Sequence, residues 1–232
     1  MKAIILAGGK GERLLPLTKE KPKPLIEVGK GPILTHIINN LHNHGVDDII
    51  LSIGHLGHMI KMVYQDGHDY GVKISYFHEK KPLGTGGAVR DIVNEFKICE
   101  PFILVWADNL ANYDFVTMMK LKNGADVVMA LVPRADVENF GVVELSGDSI
   151  IGFVEKPKRD EAPSTLVNAG AFLIKPEILK RLPAEGKCSI ERELFELIAK
   201  EGRIRAFVHE GYWYNTDTKE ALAKAKKFAK GL

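Results

Sequence analysis

Leu6-Ala7-Gly8-Gly9-Lys10-Gly11-Glu12-Arg13-Leu14-Leu15-Pro16-Leu17-Thr18, with Pro22-Lys23-Pro24-Leu25 just beyond it, decides how the amino-terminal part of this chain folds. The apolar run from Lys2 to Ala7 has the length and composition of a buried strand, and Gly8 and Gly9 end it. A glycine-rich turn directly after a first strand lets backbone N–H groups approach a polyphosphate with no side chain in the way. The glycines follow neither the GxGxxG spacing of a dinucleotide fingerprint nor the GxxxxGK spacing of a P-loop, so a nicotinamide dehydrogenase and a P-loop enzyme both fail on spacing. Arg13 and Lys23 follow at fixed places in a proline-stiffened segment. Two cations held near one turn point to a ligand rich in negative charge.

Outward from that loop, the pattern alternates. A helix is predicted over Ile33 to His44 with Gly45 as its stop signal, and short β-branched or aromatic runs occur at Ile49 to Ile53, Lys73 to Phe77, Phe102 to Trp106 and Val127 to Val132. Helical patterns lie between them at His58 to Gln65, Gly87 to Phe96 and Phe115 to Asn123. Strand alternating with helix predicts an α/β fold, a Rossmann-like mixed, mostly parallel sheet with helices on both faces. After Val132 come three strands, Gly141 to Leu145, Ile150 to Val154 and Val167 to Ile174, before helices resume at Ser189 to Lys200 and Thr218 to Lys230. With no internal repeat or linker, residues 1–232 read as a single domain, 1–132 as its nucleotide-binding half and 133–232 as its acceptor-binding half and closing helices. The strand-rich stretch from about 133 to 175 would be a lid or acceptor-binding element.

The composition excludes several classes. Among 232 residues, 32 Lys and Arg stand against 30 Asp and Glu, with the two signs interleaved, which argues against a nucleic-acid partner held by phosphate contacts. A hydrophobic fraction of 45% and a charged fraction of 27% are those of a globular chain. No apolar run approaches the roughly 20 residues that span a bilayer, so no membrane partner is expected. Ala3 to Ala7 is too short for the apolar core of a signal peptide, and the expected location is the cytoplasm. Cys99 and Cys188 form no CxxC pair and read as ordinary thiols, and His42 with His44 and His55 with His58 read as scattered imidazoles. The basic final helix reads as a solvated face with an apolar stripe through Leu222, Ala225 and Phe228.

LAGGKGERLLPLT followed by PKPL strongly resembles the sugar-1-phosphate nucleotidyltransferases. Further matches fall in the family's order: Pro82 to Gly87, Ala107-Asp108-Asn109, Phe140 to Val143, Glu155-Lys156-Pro157, Asn168-Ala169-Gly170 and Trp213 to Thr218. The resemblance implies attack by the phosphate of a sugar 1-phosphate on the α-phosphorus of a nucleoside triphosphate, with pyrophosphate leaving and no protein nucleophile. Catalysis would then be positioning plus neutralisation of charge. Arg13, Lys23 and Asp108 are the implied catalytic residues. Leu6, Ala7, Gly8, Gly9, Gly11, Glu79, Pro82, Gly84 and Thr85 would bind the nucleotide, and Gly141, Glu155, Lys156 and Asn168 the sugar phosphate. Mg²⁺ is the implied cofactor, with Asp108, Asn215 and Asp217 as candidate ligands. A homo-oligomer is left open.

The chain departs from the family's Trp-x-Asp-x-Gly-Thr pattern. It carries Trp213-Tyr214-Asn215-Thr216-Asp217-Thr218, so an amide stands where a metal carboxylate is usual, and Asp217 would either compensate or cap the final helix. The sequence ends at Leu232, and no additional β-helix domain is expected. In uridylyl- and thymidylyltransferases of the family a Gln commonly stands five residues before the first Gly of the Leu-Gly-Thr motif; here that position holds Glu79. An ionised carboxylate accepts from the adjacent N1–H and N2 amine of guanine, whereas an amide suits uracil or thymine. The expectation is therefore a guanylyltransferase acting on mannose 1-phosphate or a related sugar, in preference to a uridylyl- or thymidylyltransferase acting on a hexose or amino-sugar 1-phosphate. A non-catalytic nucleotide-sugar-binding subunit of the same fold should have lost Arg13, Lys23 or Asp108, and all three are present.

Overall fold

A computed structural model describes residues 1–122 and 124–231. Its strands are β1 (Lys2–Leu6), β2 (Glu27–Val28), β3 (Gly31–Pro32), β4 (Asp48–Ile53), β5 (Lys73–His78), β6 (Phe102–Trp106), β7 (Asn109–Ala111), β8 (Val127–Pro133), β9 (Gly141–Ser146), β10 (Ser149–Glu155), β11 (Leu166–Ile174), β12 (Ile204–Val208) and β13 (Trp213–Asn215). The α-helices are α1 (Ile33–Asn43), α2 (Gly57–Tyr64), α3 (Gly84–Glu95), α4 (Phe115–Lys120), α5 (Glu196–Ala199) and α6 (Lys219–Ala229). The predicted end of the fourth helix, Asn123, lies outside the described residues.

The chain packs into two compact units that exchange segments instead of dividing at one point. The first comprises Met1–Pro82, Val105–Tyr113 and Gly211–Leu232; the second comprises Leu83–Leu104 and Asp114–Glu210.

In the first unit β1, β4 and β5 are parallel neighbours, with Lys2 level with Asp48 and Ile50 level with Ser75. Strands flanked by βα connections are covered on both faces and read as continuous apolar runs, which is why Ile4, Ile5, Ile50 and Leu51 are all fully buried. In α1, Ile33, Leu34, Ile37, Ile38 and Leu41 recur at helical spacing and are buried, and Gly45 follows at φ 73°. A short antiparallel ribbon of β7 and β13 sets Asn215 level with Asn109, and the sequence pattern gave no hint of either strand. Three residues are too few to show a period. α6 is capped by Thr218, whose hydroxyl oxygen accepts the Ala221 N–H, and it buries Leu222, Ala225 and Ala229. Phe228 stacks on Tyr214 at 4.7 Å, so this basic helix is a solvated face with an apolar underside that braces β13.

In the second unit the strand order is β11-β8-β12-β10-β9, and Val167 of β11 also pairs with Val142 of β9. β8 and β12 are parallel there, while β11–β8, β10–β12 and β10–β9 are antiparallel. The strand-rich stretch after Val132 thus supplies β9, β10 and β11 of this sheet. Its core includes Met129, Leu131, Phe172 and Phe195, with the last two rings 5.0 Å apart; burying side chains of this kind contributes about 1.5–3 kcal/mol each. The helix predicted over Ser189 to Lys200 begins instead with a π-helical turn, Glu191–Phe195, that passes into α5. Glu191 in that turn is buried and accepts the hydroxyls of Thr85 and Ser189, both at 2.6 Å, an attachment that apolar periodicity does not report.

Candidate active-site clusters

The glycine loop is built on hydrogen bonds from β1 to its neighbours. The Ala7 N–H donates to the Ser52 carbonyl at 2.9 Å, and the Ala107 N–H donates to the Leu6 carbonyl at 3.1 Å. Gly8 then runs against other backbone, since a Cβ there would lie 2.7 Å from Glu79 Oε1 and 3.3 Å from the Gly54 nitrogen. Gly11 adopts φ +64°, a left-handed conformation that favours glycine, and the buried Thr18 hydroxyl donates to its carbonyl at 2.8 Å. Gly9 differs from both: it is exposed, and a Cβ there would meet nothing within 4 Å. The fold itself makes no demand for glycine at position 9.

Below this loop four side chains form one charged array. Lys23, held by the 3₁₀ turn Lys23–Leu25, has a side chain only 10% exposed; its ammonium donates to Asp217 Oδ1 and lies 3.4 Å from Asp108 Oδ2. The more exposed Arg13 guanidinium donates to Asp217 Oδ2 at 2.6 Å. Fully buried Thr216 staples the two acidic loops together, its N–H and hydroxyl donating to the Asp108 carbonyl at 3.1 and 2.8 Å. Burial pushes the Asp108 carboxyl above its ordinary range, with the Asp217 charge adding to the rise and Lys23 opposing it. Burial acts in the same direction on Asp217, but the Lys23 and Arg13 charges outweigh it and hold that carboxyl below its ordinary range.

One atom of this array has no donor among the described residues: Asp108 Oδ1 is buried and accepts no hydrogen bond from them. A buried carboxylate oxygen without a donor is costly unless something else neutralises it. Asn215 Oδ1 accepts the Asp217 N–H at 2.8 Å, a turn in which the oxygen keeps a second lone pair. Among the described residues no group of three or more His, Cys, Asp or Glu side chains is arranged to hold a metal ion. By donor type alone, the oxygens of two carboxylates and one carboxamide are those a hard divalent cation takes, and the buried Asp108 Oδ1 is the one without a donor among the described residues.

The second unit carries a separate polar cluster. Gly141 opens β9 opposite Glu155, and a Cβ there would fall 2.2 Å from the Phe153 ring and 2.9 Å from Glu155 Oε2. Lys156 sits at φ +52°, its N–H donating to the Phe140 carbonyl at 3.0 Å and its ammonium 3.3 Å from Glu155 Oε1. Asn168 stands on β11, the strand whose Val167 pairs with Val142, and its Oδ1 accepts the Gly170 N–H at 2.8 Å. Burial pushes the Glu155 carboxyl up, Glu191 pushes the same way, and Lys156 and Arg192 oppose. The Glu155 N–H donates to Glu196 Oε1 at 3.2 Å.

A family model described as nucleotidyl transferase matches residues 2–231. The chain belongs to that family. Mannose-1-phosphate guanylyltransferase catalytic subunit beta of Danio rerio is 34% identical over the whole of this chain and 64% of its own length. A UTP–glucose-1-phosphate uridylyltransferase of Synechocystis is 32% identical, with 87% of this chain and 56% of that protein covered. A Bacillus anthracis structure, provisionally assigned as a glucose-1-phosphate thymidylyltransferase and holding a sucrose, superposes with a TM-score of 0.89 at 27% identity, covering 100% of this chain and 96% of that one. This nucleotidyl transferase chain therefore spans less than two thirds of the length of the curated relatives, and its neighbours carry three different bases in their names.

The residues singled out in the sequence distribute between the units. Arg13, Lys23, Asp108, Asn215 and Asp217 come together in the first, along with Leu6 to Gly11 and Glu79, while Pro82 is an exposed residue at its border. Gly84 and Thr85 belong to the second, and packing explains both. A Cβ at Gly84 would lie 2.4 Å from the Cys188 carbonyl oxygen, and the Thr85 hydroxyl, besides donating to Glu191, accepts the Ile190 N–H at 3.0 Å. Glu191, Glu196 and Ser52 were read only as parts of a predicted helix and strand, and Thr216 only as part of the Trp213 to Thr218 motif. None was assigned a role of its own, and the buried partner each holds is what reveals it. Cys188 is buried and Cys99 exposed, both free thiols, and no helix of the described residues is long and apolar enough to cross a membrane.

Proposed function

We propose that the protein transfers a nucleoside monophosphate from a nucleoside triphosphate to a sugar 1-phosphate, releasing pyrophosphate. The observation that carries this reading is the array of Arg13, Lys23, Asp108 and Asp217 beneath the glycine loop, in which Asp217 holds two cations side by side and one buried oxygen of Asp108 has no donor among the described residues. An oxygen of the acceptor's phosphate forms a bond to the α-phosphorus, the bond from that phosphorus to the bridging oxygen breaks, and the electron pair leaves with pyrophosphate. Backbone N–H groups of the glycine loop hold the triphosphate. Arg13 transfers its contact from Asp217 to the β- and γ-phosphates and neutralises the leaving group, while Lys23 remains beside the α-phosphate, where charge builds on the equatorial oxygens. Asp108, with Asn215 and Asp217, would hold Mg²⁺, which would supply positive charge to offset that of the phosphates. In the second unit, Glu155 and Asn168 serve sugar hydroxyls, Gly141 allows their close approach, and Lys156 serves the acceptor's phosphate as a point charge.

The base is guanine and the acceptor mannose 1-phosphate, in a cytoplasmic setting. Glu79 supports guanine over uracil and thymine, because a carboxylate accepts from two adjacent donors where an amide would offer one donor and one acceptor. The name of the Danio rerio relative supports the same choice. A matrix of four nucleoside triphosphates against mannose, glucose and amino-sugar 1-phosphates, read as pyrophosphate release with Mg²⁺ present, tests the whole reading. GTP with mannose 1-phosphate is the expected best pair; release with UTP or dTTP alone would replace the base, and no release with any pair would remove the activity.

A further inference from the structure

Ser52 is fully buried in β4 between Leu51 and Ile53, in a strand whose other interior positions are aliphatic. A small apolar residue would satisfy that position in the sheet. A buried hydroxyl must instead find a partner, and this one donates to Glu79 Oε1 at 2.8 Å. The Glu79 N–H donates to the Ile53 carbonyl at 2.9 Å, so consecutive residues of β4 hold Glu79 by both its backbone and its side chain. The same Ser52 passes its own carbonyl to the Ala7 N–H, at the residue that leads into Gly8, and the Glu79 Oε1 lies against the Gly8 backbone. One residue thus connects the glycine loop with the carboxylate that follows β5.

We propose that Ser52 is the positioning residue for base selection: its hydroxyl fixes the rotation of the Glu79 carboxylate beside Gly8, so that the carboxylate plane meets the two donors of guanine together. The proposal rests on the base reading above. A carboxylate free to rotate about its last torsion meets the two donors together only part of the time, and ordering it on binding costs affinity for guanine alone. Uracil and thymine, with one ring N–H between two carbonyls, gain nothing from the fixed plane. The hydroxyl's hydrogen bond contributes selectivity on the scale of one net hydrogen bond, which corresponds to a factor of about five to ten.

The experiment measures kcat/KM for GTP and UTP, at saturating sugar 1-phosphate, in wild type, Ser52→Ala, Glu79→Ala and the double variant, with thermal midpoints to confirm folding. Ser52→Ala should lower the GTP-to-UTP ratio about five- to tenfold through the KM for GTP, leave the UTP value unchanged, and add nothing in the Glu79→Ala background. Ser52→Thr, which keeps the hydroxyl, should restore the ratio, and Ser52→Cys, with a much weaker donor, reads the same quantity if the alanine variant does not fold. Equal losses for both nucleotides, or a ratio lowered by the same factor with and without Glu79, would mean a structural role only and overturn the proposal. If Glu79→Ala abolishes the preference while Ser52→Ala keeps it, the Ser52 proposal falls and the base reading stands. If Glu79→Ala keeps the preference, both fall.

Discussion

The side-chain carbonyl of Asn215 accepts the backbone N–H of Asp217 at 2.8 Å, and this turn delivers the Asp217 carboxylate to Lys23 and Arg13. The amide at position 215 therefore shapes the loop, while the negative charge is carried two residues further on. Asp217→Asn should lower kcat/KM by about 10- to 100-fold, since hydrogen bonds to charged groups are worth about 1.5–3 kcal/mol each. Asn215→Ala, which loses one neutral turn bond, should cost about tenfold or less. Steady-state rates decide it, and an Asn215→Ala loss larger than that of Asp217→Asn would reverse the division of labour.

Asp108 tests the proposed metal. Asp108→Asn keeps the shape and the hydrogen bonds that Thr216 makes to the main-chain carbonyl, but removes the charge that would balance a cation at Oδ1. Turnover should fall by at least about a hundredfold, in line with the loss of metal charge stabilisation, while the thermal midpoint stays within a few degrees. A readout independent of turnover is the midpoint under Mg²⁺ titration with a non-hydrolysable triphosphate analogue. Wild type should rise with Mg²⁺ and the variant should not; equal rises would remove Asp108 from the metal site.

Much of this was legible in the sequence for definite reasons. Strands such as Phe102–Trp106 and helix Ile33–Asn43 show clean periodicity and stop signals, so their existence and bounds follow from pattern. Lys23 and Asp108 were readable because motif order places them beside the glycine loop. Glu191 and Thr216 were not, because a buried polar residue looks like any other until its hydrogen-bond partner is located 106 or 108 residues away. The glycines of the Leu83 to Gly87 motif were legible as important, yet the force that selects Gly86 is packing: a Cβ there would stand 2.9 Å from Cys188 Sγ and 3.0 Å from the Ile190 nitrogen. Gly86→Ala should accordingly destabilise the protein by about 1–3 kcal/mol, the usual cost of overpacking. Urea denaturation followed by tryptophan fluorescence measures it, and an unchanged midpoint would show that the Cys188 segment can move aside.

Lys156 tests the proposed division between acceptor and nucleotide. Its ammonium is half-exposed and its ion pair with Glu155 is worth little to folding, so Lys156→Ala should leave the thermal midpoint nearly unchanged. Calorimetric titration should show weaker sugar 1-phosphate binding by about tenfold or more, on the scale of a charge-assisted contact, with triphosphate binding preserved. Loss of triphosphate binding instead would place Lys156 on the nucleotide.

Glu155 makes a prediction about pH. Its carboxyl is pushed up by burial and by Glu191, against the opposing charges of Lys156 and Arg192, and Glu196 accepts its backbone N–H. A folded-state value above the unfolded one means that the native protein binds the proton more tightly. Glu155 therefore lowers stability as pH rises from the ordinary carboxylate range through its raised value, and the penalty persists at higher pH. Glu155→Gln removes that penalty. The variant should unfold at higher urea than wild type at pH 8, and the difference should shrink as the pH falls to about 4, where a carboxyl in the unfolded chain also takes up its proton. Activity should move the other way, because the proposed contact with a sugar hydroxyl loses its charge assistance while stability is gained. The comparison of urea midpoints at the two pH values checks the sign: a difference independent of pH would mean that Glu155 does not titrate with folding, and a variant less stable at pH 8 would mean that the Lys156 and Arg192 charges outweigh burial.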